Sequence, residues 1–176
     1  MKVLVINGSH RIGNTSKFAD YLSAVLTNAG HSVDVLDLLG NRFGICDGCL
    51  ICEETGECVI DDTFTNAVVT RLTEAEAYVF AMPVYFNAVP ALFKNFIDRT
   101  NCLCTYFGEH QKKVGVFLVG QLEESEGSFS SVIRYLNEYA EIMNFEMAEK
   151  VVCITAREPG VITIEDDVKD IVKTWF

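Results

Sequence analysis

Short, continuous apolar runs alternate with stretches of helical periodicity along the whole of this chain. "KVLVIN" at its start is apolar without alternation, the pattern of a parallel strand covered on both faces. From Asn14 to Ala29, Phe18, Leu22, Val25 and Ala29 recur at helical spacing, and Gly30 supplies a stop. "SVDVLDL" reads as a second strand, and a cysteine-rich stretch follows at about 43–60. Asp61 and Asp62 then offer a helix start, with Phe64, Val68, Leu72 and Ala75 on its buried face. "AYVFAM" is a third strand. Pro90 fits the first turn of the next helix, whose inner face is Leu92, Phe93, Phe96 and Ile97. "KVGVFLVG" is a fourth strand, followed by a helix lined by Phe129, Val132, Ile133, Leu136, Ala140 and Met143. "KVVCIT" is a fifth strand, and Val168, Ile171, Val172 and Trp175 mark a closing helix.

Five strands alternating with five helices imply a parallel sheet with helices on both faces. Right-handed crossovers leave few topologies. Of the two common orders, five strands fit the flavodoxin-like 2-1-3-4-5 better than the dinucleotide-binding one. The expectation is therefore an α/β, flavodoxin-like three-layer sandwich. Its 176 residues suffice for a single domain, 1–176, carrying a cysteine-rich insertion. In such a sheet the ligand sits beyond the carboxyl ends of the strands, where the strand order reverses.

Charge narrows the partners. A formal net charge of -11 repels nucleic acid and anionic lipid. The first apolar run, Val3 to Ile6, is too short for a secretory signal. No window approaches the about 18 apolar residues of a membrane span. The expected location is cytoplasmic, where thiols stay reduced, and seven cysteines cannot all pair within one chain.

Two loops at the ligand edge carry chemistry. "NGSHRIGNTS" holds Gly8, Ser9, Arg11, Gly13, Asn14, Thr15 and Ser16 ahead of a helix N-terminus. Small residues let the backbone approach an anion, and hydroxyls, an amide and free N–H groups can donate to it. It is neither a G-x-G-x-x-G fingerprint nor a Walker loop, so it suits a single terminal phosphate. The plain alternative is an ordinary strand-to-helix turn. "MPVYFNAVP" places Tyr85, Phe86 and Asn87 where polar turn residues would be expected. Its aromatics can cover a flat ring while Asn87 and backbone N–H groups bond the ring's edge. The alternative is that they pack under the next helix.

Cys46, Cys49, Cys52 and Cys58 are spaced C-x2-C-x2-C-x5-C. Compact spacing of this kind puts thiolates around one small volume, as an iron–sulfur cluster requires. Structural zinc usually pairs two distant knuckles or adds histidines, and His10, His31 and His110 lie outside the loop. A [4Fe-4S] cluster, zinc, and packed or bridged thiols remain the three readings. Cys153 reads as a small buried hydrophobe. Cys102 and Cys104 have no matching spacing and no assigned role.

"GSHRIGNTS" together with "PVYFNAVPALFKNFIDR" resembles the NADPH-dependent FMN reductase family of the flavodoxin-like superfamily. With the cysteine loop between these motifs, the chain is most similar to the iron–sulfur flavoproteins of that group. The resemblance implies that Ser9, Arg11, Asn14, Thr15 and Ser16 hold an FMN phosphate. It implies that Pro83, Val84, Tyr85, Phe86 and Asn87 cradle the isoalloxazine ring, with Gly120 and Gln121 approaching it. The fourth-strand loop "VGQLEESEGS" departs from the family's Gly-Gly-rich form. The four loop cysteines would ligate a [4Fe-4S] cluster, and no catalytic side chain is implied beyond the cofactor. Electrons would come from NAD(P)H or a ferredoxin and pass to a small acceptor, in a homodimer or homotetramer. The alternative is an NAD(P)H-dependent FMN or quinone reductase whose cysteine loop is structural or binds zinc.

Overall fold

The computed structural model describes residues 1–121, 129–156 and 166–176. The chain runs β1 (Lys2–Asn7), α1 (Asn14–Asn28), β2 (Ser32–Asp37) and a short α2 (Ile51–Thr55). A π-type turn at Phe64–Val68 leads into α3 (Val69–Glu74), then β3 (Ala77–Pro83) and α4 (Ala91–Arg99). A 3-10 turn at Thr100–Leu103 joins α4 to α5 (Cys104–Glu109), followed by β4 (Lys112–Gly120) and α6 (Ser130–Ile142). β5 (Phe145–Met147), β6 (Val152–Thr155) and α7 (Asp166–Lys173) complete it.

All pairings are parallel, in the order β2-β1-β3-β4-β5, with β6 also on β4. The flavodoxin-like order is thus as read from the sequence, with one difference. The fifth place is shared: β5 pairs Lys112 to Val114, and β6 pairs Phe117 to Gly120. The sequence reading ran the preceding helix through Met143 and missed β5. Asn144 explains this, because it ends the helix at φ 54, the left-handed conformation a glycine usually supplies. The helices α2 and α5 were also not anticipated.

Strand periodicity builds two cores. Leu4, Ile6, Tyr78, Phe80, Met82, Val114, Val116 and Leu118 face one side, under Phe64, Phe93, Phe96, Phe129 and Leu136. Val3, Val5, Ala77, Val79, Ala81, Phe117 and Val119 face the other, under Phe18, Leu22, Val172 and Trp175. Successive side chains point to opposite faces of a strand, so each central strand must be apolar at every position. Among the described residues no helix is long and apolar enough to cross a membrane.

Gly115 is where β4 and the chain's last helix lock. A Cβ there would lie 2.3 Å from Trp175 Cε3, and Trp175 is held in place by Nε1 donating to the Lys150 carbonyl at 2.8 Å. Gly115→Ala is expected to cost about 1–3 kcal/mol through overpacking. A urea titration should show a lower midpoint with an unchanged slope. An unchanged midpoint would mean the indole yields freely.

Candidate functional site

The β1 loop is fixed before it reaches any ligand. Gly8 N–H donates to the Ala81 carbonyl at 2.8 Å, extending the β1–β3 pairing past the end of β1. A Cβ on Gly8 would lie 2.9 Å from Phe93 Cδ2 and 3.3 Å from Met82 Cβ, so only glycine lets the loop leave flush with α4. The Asn7 side chain, 4% exposed, donates from Nδ2 to Ser16 Oγ at 3.1 Å and accepts Ser9 N–H at 3.1 Å. Ser9 Oγ donates to the Arg11 carbonyl at 2.7 Å. These bonds curl the loop around the N-terminus of α1. Among the described residues, no side chain caps that terminus and no acid sits in its first turn. Its N–H groups and positive dipole end therefore suit an anion.

The β3 loop is a tight reversal. Tyr85 N–H donates to the Ala88 carbonyl at 3.1 Å, and Ala88 N–H donates back at 3.0 Å. Phe86 and Asn87 between them have φ of 49 and 57. Both central positions of such a turn need positive φ, which asparagine tolerates and phenylalanine rarely adopts. Phe86 projects fully into solvent, so it does not pack under the next helix. Val84 N–H is tied to the Val119 carbonyl at 2.7 Å, bringing β4 to the same place.

Between these loops lies a cleft of about 540 Å³. Ser9, Arg11, Asn14 and Thr15 line it from the first loop, and Pro83, Val84, Tyr85, Phe86 and Asn87 from the second. Val119, Gly120, Gln121 and Ala156 close the far wall. Of the residues read from the sequence, Ser16 alone does not line it; its Oγ accepts from Asn7 Nδ2. Residues 122–128, the rest of the fourth-strand loop, lie outside the described residues. Sequence reasoning missed Ala156, carried there by β6 and held by its N–H to the Gly120 carbonyl at 2.8 Å. It also missed His10, whose ring stands 5.9 Å from that of Tyr85. The volume falls in the about 300–1,000 Å³ range of small-molecule sites. One cation, a helix N-terminus and an aromatic shelf fit FMN's single phosphate and flat ring.

The cysteines form a second site. Cys46, Cys49, Cys52 and Cys58 line one cavity of about 30 Å³, and Cys102 joins them. Among the described residues, no three His, Cys, Asp or Glu side chains are gathered tightly enough to grip a metal ion. The donor set itself fits an iron–sulfur cluster, being rich in thiols with no histidine in the lining. Asn101 Nδ2 donates to Cys52 Sγ at 3.4 Å. Burial, with Cys58 and Cys52 adding to it, pushes the Cys102 thiol up to about 11. Cys104 is half-buried, and burial raises its thiol too. Cys153 is half-buried against the core. No residue lines both cavities. The cysteine loop leaves the ligand edge, where Leu38 N–H donates to the Asn7 carbonyl at 3.1 Å. Its thiols then seat against the far end of α4, beside Asp98 and Arg99.

A buried ion pair fastens that loop. Arg99, with no exposed side-chain surface, donates from Nη1 to Asp62 Oδ2 at 2.8 Å and from Nη2 to Oδ1 at 3.0 Å. Nη1 also reaches the Gly44 carbonyl at 2.9 Å. Asp62 accepts Gly44 N–H at 2.7 Å and Phe64 N–H at 2.9 Å. The guanidinium lies 4.8 Å from the centre of the Phe64 ring, a cation–π contact. Gly44 precedes the cysteines and Asp62 follows them, so the pair holds both ends of the loop.

The chain matches the family model of the NADPH-dependent FMN reductases over residues 1–152. It is 33% identical over 139 residues to an iron–sulfur flavoprotein of Archaeoglobus fulgidus, a match covering 76% of this chain and 63% of the relative. The chain thus spans less than two thirds of that relative's length. Among solved structures it resembles an NAD(P)H:quinone oxidoreductase from Methanothermobacter marburgensis, with a TM-score of 0.65 and 19% identity, covering 98% of this chain and 90% of that one. It also resembles oxidised flavodoxin 1 from Bacillus cereus, with a TM-score of 0.60 and 15% identity, covering 98% and 93%. Both likenesses concern the fold.

The ion pair predicts a pH signature. The Arg99 guanidinium holds the Asp62 carboxyl down at about 2, below its ordinary 3.8. A depressed carboxyl stabilises the fold above the unfolded value and loses that contribution as pH falls toward the folded one, worth roughly 2 kcal/mol here. Asp62→Asn leaves Arg99 buried without its counter-charge, which costs about 3–5 kcal/mol at neutral pH. The gap between parent and variant should narrow as pH drops from about 4 to about 2. Urea midpoints across that range measure it; a gap independent of pH would contradict the assignment.

Proposed function

The chain belongs to the NADPH-dependent FMN reductase family, and on that premise we propose that it is an FMN-dependent oxidoreductase passing electrons from NAD(P)H or a ferredoxin to a small acceptor. The observation that carries this reading is the cleft in which the β1, β3 and β4 loops converge, lined by Arg11 from the first loop and Tyr85 from the second. When bound, FMN supplies the exchange between two-electron and one-electron chemistry. The chain's own part is to hold and orient it. Arg11, Asn14, Thr15 and the α1 N-terminus would take the phosphate. Ser9 shapes that loop, and Ser16 acts through Asn7. The left-handed Phe86–Asn87 turn would offer backbone N–H groups to the ring's edge, with Gly120 in the same lining. No side chain is assigned as a catalytic acid or base.

The second part of the proposal is that Cys46, Cys49, Cys52 and Cys58 hold a [4Fe-4S] cluster. Their common cavity, the absence of histidine from its lining and the name of the Archaeoglobus fulgidus relative support it. A second reading keeps the loop structural or zinc-binding, in an FMN or quinone reductase. It is favoured by the lack, among the described residues, of three metal-binding side chains drawn together. A reducing, cytoplasmic setting accords with either, since none of the seven cysteines is in a disulfide. A homodimer or homotetramer is part of the proposal. Ile12 and Phe86 by the cleft and Ile45 and Leu50 in the cysteine loop are exposed apolar side chains that a second copy would cover.

Cofactor released by heat should run as FMN on chromatography. FAD, or no flavin after reconstitution, would overturn the first part. Thr15→Val keeps shape and removes one hydroxyl, and it should weaken FMN by about 1.5–3 kcal/mol, roughly 10- to 150-fold in Kd. The melting temperature of the flavin-free chain should hardly move. Unchanged affinity would put the phosphate elsewhere.

Anaerobically purified protein should carry about four irons and four acid-labile sulfides per chain. Zinc without sulfide would select the second reading. Cys49→Ala should lose the iron while keeping FMN, because the two cavities share no lining residue.

A further inference from the structure

Among the described residues Arg99 is the most deeply buried cation, and its position is not explained by the flavin cleft, which it does not line. It lines the cysteine cavity instead. Cys58 lines the same cavity, and the buried Nε of Arg99 has no hydrogen-bond partner. Two residues on, Asn101 donates to Cys52 Sγ at 3.4 Å. A fully buried guanidinium is costly, and a well-packed hydrophobe closes a loop as well or better. A residue there solely to anchor the loop would not need a buried N–H left without a partner in a cavity lined by thiols.

We propose that Arg99 and Asn101 are the positioning residues of the thiol site: Arg99 fixes the loop through Asp62 and Gly44 and brings its unpartnered Nε–H to the cavity, and Asn101 aims an N–H donor at Cys52. This rests on the cluster reading above. Donors of this kind orient metal-binding ligands, and hydrogen bonds to sulfur raise a cluster's reduction potential. Asp62 offsets much of the Arg99 charge, so the effect on potential runs through the N–H···S bonds rather than through net charge. The donors sit at the end of α4 and on the turn that continues it, so the helix that begins beside the ring loop ends by holding the thiols.

The test uses the full chain, reconstituted without oxygen with iron and sulfide, as wild type, Asn101→Leu and Arg99→Lys. FMN content and melting temperature serve as fold controls. Asn101→Leu should keep its FMN and its fold while the cluster midpoint, followed by EPR during a redox titration, moves to more negative potential. Arg99→Lys keeps the charge but loses the fork, and its iron should pass to a chelator about 10–100-fold more readily. A potential and an iron retention equal to wild type in both variants would overturn the proposal. If wild type takes up no iron and sulfide, the cluster reading fails, and the positioning role is judged with cobalt(II) on the reduced apo-chain. Thiolate-to-cobalt absorption should then require more cobalt in both variants, and identical titrations would overturn the role.

Discussion

The parallel pairing of β1 with β3 is the constraint from which the site follows. In the order 2-1-3-4-5 these strands flank the point where the order reverses, so the loops leaving them diverge around a crevice. The bond from Gly8 N–H to the Ala81 carbonyl carries the pairing one step further than β1 itself. Phe93 and Met82 leave no room for a side chain at Gly8. The β1 loop and the β3 loop that line the cleft are therefore held edge to edge. Such preorganisation reduces the ordering cost of binding. The Asn7 side chain, buried between Ser9 and Ser16, extends the same logic into the loop.

α4 relates the two sites. It begins at the end of the ring loop, contributes Phe93 beneath Gly8, and ends at Arg99 beneath the cysteine loop. Its nine residues span about 14 Å at 1.5 Å per residue. The helix thus sets both sites from one packed element while keeping their linings separate. In the proposed function this gives the two centres fixed relative positions without shared ligands. It also permits either to be lost without the other.

Much of this was legible because local pattern and tertiary demand agree. Strands buried on both faces must be apolar throughout, and "KVLVIN" and "AYVFAM" could be little else. Phe64, Val68 and Leu72 kept their helical spacing even across a π-type turn. That the β1 and β3 loops line one cleft was legible because their residue types are unusual for ordinary turns. What escaped depends on contacts distant in sequence. Ser16's place outside the cleft lining, with its Oγ accepting from Asn7 Nδ2, is one such case. The separate places of β5 and β6 depend on Asn144, which carries no strong local signal. The thiols' seat on α4 follows from Arg99 reaching Asp62, a pairing no local spacing announces.

The most direct test of the account is diffraction from crystals of anaerobically prepared protein, with anomalous data collected across the iron absorption edge. The account predicts flavin density between Arg11 and Tyr85, and a compact iron signal in the cavity lined by Cys46, Cys49, Cys52 and Cys58. Flavin bound away from the β1 and β3 loops, or a cysteine cavity without iron signal beside a loaded flavin, would contradict it.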